Sequence, residues 1–181
     1  KHLSALLLLF SFSCNVIYGQ TTLMMNGTEY PIASPVDCNT LGAPDNVNFF
    51  DMSGGGPGTP YLSSDRDTLT VCPDLAVGSK ITAAFATSAG FTWDVHSSDT
   101  LYVFDGASVF DSLMGKYNSN SHPNGFNQTA SWDNPNGCLT FMFITSNVDT
   151  ADGWEANISC RNPQQPFVAH LEGYKNFDYA D

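Results

Sequence analysis

The residues of this chain best equipped for chemistry are its cysteines, a scatter of aspartates and a few isolated histidines. Of five cysteines, Cys14 sits in an apolar leader, and Ser11-Phe12-Ser13 before it lacks the aliphatic residue that a lipidation signal wants. Cys38, Cys72, Cys138 and Cys160 remain. No C-x-x-C or H-x-x-x-H spacing accompanies them, so a zinc site is not indicated. Four cysteines in an exported chain point to two disulfides, for which three connectivities are open.

His96 stands between Asp94 and Asp99, the arrangement a base or a metal site would use. No motif supplies a serine or cysteine nucleophile, since G-x-S-x-G, H-E-x-x-H and a lone cysteine with a matched histidine are all missing. Aspartate pairs such as Asp94 and Asp99 are common outside glycosidases. The expectation is a non-enzymatic protein. The loop Ser146 to Gly153 puts Asn147 and Asp149 at the first and third positions of an EF-hand-like run. The sixth position is Asp152 rather than glycine and no helices flank it, so it is not an EF-hand.

These residues need a scaffold, and the scaffold reads as all-β. With 42% hydrophobic and 13% aromatic residues in 181, the chain can fill the core of one domain. Helical periodicity is hard to find after residue 20, whereas Gly, Pro, Asn, Asp and Ser clusters recur. Strands are expected over residues 68–71, 80–85, 90–93, 100–104, 129–132, 138–144 and 154–159, several alternating with period two as in Leu139-Thr140-Phe141-Met142-Phe143. Many short strands separated by turns make a sandwich or barrel. Ser53-Gly54-Gly55-Gly56-Pro57-Gly58 lacks the lysine of a phosphate loop and reads as a surface loop. Trp132 and Trp154 are expected in the core, although with Phe91 and Trp93 they are the residues that could stack on a sugar.

Lys1-His2 followed by the apolar run Leu3 to Phe10 and the small Gly19 has the form of a secretory signal, so residues 1–19 are expected to be cleaved and 20–37 to lead into the domain. The run is too short to span a bilayer. Residues 161–181 read as a linker or the start of a further segment. A formal net charge of −12 with only six Lys and Arg argues against nucleic acid and anionic membranes, which both reward clustered cations, and fits cations, calcium in particular.

Five segments in order carry a family resemblance: Phe91-Thr92-Trp93-Asp94, Asp99 through Gly106, Leu113-Met114-Gly115-Lys116-Tyr117, Leu139 through Phe143, and Gly153-Trp154-Glu155-Ala156. Over residues 38–160 the chain resembles a CUB domain, and its cysteine layout is similar to that of CUB modules in secreted proteins of Bacteroidetes. Ser98 and Asn118 stand near two positions where the animal pattern has cysteines. The resemblance implies a jelly-roll-like antiparallel β-sandwich and an extracellular binding or adhesion role toward a protein ligand or glycan. It further implies calcium at one end of the sandwich, held by Asp94, Asp99, Asn147 or Asp149, and Tyr61, with a basic side chain of the partner drawn to those acids. The alternative is the accessory domain of a secreted hydrolase or peptidase. With one cysteine pair early and one late, Cys38–Cys72 and Cys138–Cys160 close the shortest loops and are the expected bridges.

Overall fold

The computed structural model describes residues 22–25, 30–31, 47–53, 59–73, 80–147 and 149–161. The leader 1–19, most of 20–37, Cys38, the glycine run 54–58, Val148 and the tail from 162 lie outside the described residues.

Among the described residues eleven strands form two sheets, and there is no α-helix. The first sheet runs β1 (Thr22–Met24), β3 (Val47–Phe50), β11 (Gly153–Arg161), β5 (Lys80–Ala84) and β9 (Asn127–Thr129), with β6 (Thr92–Asp94) also paired to β11. The second runs β2 (Tyr30–Pro31), β4 (Arg66–Val71), β10 (Leu139–Ile144), β7 (Thr100–Asp105) and β8 (Ser112–Tyr117). A single 3-10 turn, Thr87–Ala89, interrupts the strands. The sheets are mixed rather than antiparallel throughout, because β1 lies parallel to β3 and β2 parallel to β4.

Alternation selects the core faces. Leu69 and Val71 of β4, Leu101 and Val103 of β7, and Leu139, Phe141 and Phe143 of β10 are all buried on one side of the second sheet. They meet Phe49 of β3 and Trp154 of β11: Phe49 and Phe141 rings lie 5.0 Å apart, Phe143 and Trp154 rings 4.9 Å. Edge-to-face and tilted pairs of this kind add to what area burial already contributes. Thr140 and Met142 point the other way yet are also buried. The loop after β7 folds over Thr140, whose hydroxyl donates to the Gly106 carbonyl at 2.9 Å, and the Arg66 guanidinium caps the Met142 sulfur at 3.1 Å.

Two expectations are corrected here. One disulfide lies wholly among the described residues, and it joins Cys72 to Cys138 with Cα atoms 4.1 Å apart. That excludes both Cys38–Cys72 and Cys138–Cys160. The antiparallel pairing of β4 with β10 sets Val71 opposite Leu139, so the residues just outside that pair are neighbours, whereas Cys160 is on the other sheet. Cys160 is itself disulfide-bonded, to a partner outside the described residues. The second correction is Trp132, which is 46% exposed. The strand expected at 129–132 ends at Thr129, because the chain turns to satisfy Asp105 and Lys80. The Ser131 amide and the Asn134 side chain donate to Asp105 at 3.0 and 2.7 Å, while the Lys80 ammonium donates to the carbonyls of Trp132 and Asn134. Trp154 is buried, as expected, and so is Trp93.

Candidate functional site

One end of the sandwich gathers the start of β7, the end of β6, the loop after β10, the start of β11 and the segment from Asp51 to Asp65. Asp99 is its centre and is fully buried. A buried carboxylate is tolerated only when donors converge on it, and three are in reach. The Tyr61 hydroxyl donates to Asp99 Oδ2 at 2.5 Å, the Ser146 amide to Oδ1 at 2.6 Å, and the Ser98 hydroxyl lies 3.3 Å from Oδ1. The His96 amide in turn donates to the Tyr61 oxygen at 3.0 Å. Burial, then the Asp99 contact, then the charge of Asp94 push the Tyr61 phenol well above its ordinary pKa, so it stays a neutral donor.

The other expected residues ring this pair. Asp94 is exposed, and its Oδ2 accepts the Asp152 amide at 3.4 Å. Asp149 and Asn147 are exposed on the loop after β10, with Asp149 Oδ2 3.8 Å from His96 Nδ1. The fold thus brings Tyr61, Asp94, Asp99, Asn147 and Asp149 to one end, and joins only Tyr61 and Asp99 directly.

Calcium takes about 6–8 oxygens at short range, whereas both Asp99 oxygens are occupied by protein donors. No three acidic, histidine or cysteine side chains cluster to hold a metal among the described residues. Ser98, His96 and Asp149 do not have the geometry of a nucleophilic triad. Ser98 Oγ lies 2.7 Å from His96 Nδ1, the same nitrogen that Asp149 approaches, whereas a triad needs serine and carboxylate on opposite ring nitrogens.

A further buried acid belongs to this end. Asp51 follows β3 and is fully buried, accepting the Ser53 amide at 2.7 Å, the Ser53 hydroxyl at 2.5 Å and the Trp154 amide at 3.0 Å. Burial raises its pKa above the ordinary carboxylate value despite those donors. Gly153 sits against it at φ +76°, and a Cβ there would lie 1.7 Å from Asp51 Oδ2. Glycine is demanded twice over, by backbone conformation and by space. Asp51 and the serine donors Ser53, Ser98 and Ser146 were not singled out as site residues from the sequence. The Asp51-Met52-Ser53 spacing, which suits an aspartate bonding two residues on, was the available signal.

Compared with family models and with curated proteins, the chain matches none.

Proposed function

We propose that this chain is a CUB-like, jelly-roll-type binding module that acts outside the cell, and that its acidic end receives a cationic side chain of a protein partner. The observation that carries this is the placement of Asp94 and Asp149, both exposed, around the buried Tyr61–Asp99 pair. A lysine approaching between them meets two carboxylates whose loops are already held by hydrogen bonds, which lowers the ordering cost of binding. Charge-assisted contacts of this kind are stronger than neutral ones. The role is non-catalytic. The disulfide supports an oxidising environment outside the cell, and no described helix is long and apolar enough to cross a membrane.

In this reading the lysine contact forms without calcium, the Asp99 oxygens being taken by Tyr61, Ser146 and Ser98. Binding of a lysine-rich peptide, followed by calorimetry with and without calcium, tests both parts. Asp149→Asn is expected to weaken the peptide several-fold while Asp133→Asn, an equal loss of charge at an exposed turn elsewhere, leaves it unchanged. Equal losses from the two variants would reduce the site to net charge and overturn the reading. Calcium alone is expected to give no saturable heat; saturable binding abolished by Asp99→Asn would replace the calcium-free form with a metal-ordered one.

A further inference from the structure

The terminal strands of the two sheets differ sharply in length. β1 and β9 have three residues each and β2 has two, whereas β8 has six. Short edge strands resist pairing with other chains, and long ones offer a row of unpaired amides and carbonyls. β8, Ser112-Leu113-Met114-Gly115-Lys116-Tyr117, contains no proline and a single charge. Among the described residues its only strand partner is β7. The pairing slips between Val103 and Phe104, leaving Met114 as an extra residue of β8, with the register regular on either side of it.

Exposed apolar side chains collect at this edge. Phe110, just before β8, is 95% exposed and Leu113 is 46% exposed. Phe110 is held out by a bonded loop: the Ser108 amide donates to Asp111 Oδ2 at 2.9 Å, the Asp111 amide to the Ser108 carbonyl at 3.1 Å, and the Phe110 amide to the Ser108 hydroxyl at 3.2 Å. A large aromatic presented on an ordered loop is the kind of anchor that dominates interfaces.

We propose that two copies of this chain associate edge to edge, β8 antiparallel to β8, as an isologous dimer. Antiparallel joining sets the start of one β8 beside the end of the other. The Asp111 carboxylate of each copy then approaches the Lys116 ammonium of its mate, and Phe110 and Leu113 of each copy cover apolar surface of the other. β8 ends at Tyr117, opposite Leu101 at the Asp99 end of β7. The two acidic ends of the dimer therefore point to opposite poles. If those ends bind as proposed above, the dimer bridges two partners; the dimer itself does not depend on that reading.

Sedimentation equilibrium on the chain across a wide concentration range tests it, together with hydrogen exchange of amides 112–116. The expected result is a mass rising toward twice that of the monomer, with those amides slowing as concentration rises. Each copy carries −12, so added salt is expected to tighten the dimer by screening their repulsion. Phe110→Ser and Lys116→Glu are each expected to weaken association about tenfold or more. Both side chains are exposed, so unfolding midpoints should stay near that of the unaltered chain. A monomer at every concentration, or a dimer equally tight in both variants, would overturn the proposal.

Discussion

Asp99, Asp51 and Asp105 show three ways in which an aspartate is accommodated in this sandwich. Asp99 is buried and depends on the Tyr61 hydroxyl. Tyr61→Phe removes that donor and leaves a buried acceptor short of a partner, which should cost about 1–3 kcal/mol in urea unfolding. Asp51 and Asp105 are shifted in opposite directions. Burial raises the pKa of Asp51. Burial also pulls Asp105 upward, but bonds from Ser131 and Asn134 and the nearby Lys80 ammonium outweigh it and hold Asp105 below the ordinary carboxylate value. A raised folded pKa means stability that is present below the unfolded value of about 3.9 and is lost as pH rises through the folded one. A lowered one means stability present above that value and lost as pH falls through the folded pKa. Acidification from neutral should therefore favour the native chain relative to Asp51→Asn. Continued below the ordinary carboxylate range, it should erode the native chain's advantage over Asp105→Asn. Urea midpoints measured across pH for all three proteins check both signs. Asp99 and Tyr61 were legible as members of one site only through the family resemblance. Nothing local in the sequence says that residues 38 apart share a hydrogen bond.

Strands with strong alternation were legible because their periodicity is local. Those expected at 68–71, 80–85, 100–104, 138–144 and 154–159 correspond to β4, β5, β7, β10 and β11, with ends shifted by a residue or two. β9 and Trp132 were not, because the chain there leaves strand geometry to serve Asp105 and Lys80, contacts made across more than 25 residues. β8 contains the family-like Leu113–Tyr117 segment and was not expected as a strand; half its residues are exposed and its pattern is mixed. The disulfide shows the same limit. Loop length favoured local bridges, whereas strand pairing brought together cysteines 66 residues apart. A loop of that size restricts the unfolded chain more than a short one does. Replacing Cys72 and Cys138 together by alanine should cost about 4 kcal/mol on the chain-entropy relation, read out by denaturant unfolding.

Charge acts over the whole molecule. A net charge of −12 repels a second copy and attracts a cationic ligand, so salt should push the two proposed associations in opposite directions, loosening the lysine contact while tightening the dimer. By itself the sequence determined that the chain is all-β, that it carries a strong net negative charge and that its cysteines suit an oxidising compartment. Composition, period-two patterning and turn residues act locally, and so can be read along a single chain. Only the tertiary structure decided which cysteines pair, that the sheets are mixed, that Asp99 is satisfied by Tyr61 and Ser146, and that β8, paired among the described residues with β7 alone, lies beside an exposed Phe110. Each of these depends on which strands become neighbours, and that is set by how two sheets bury one shared core.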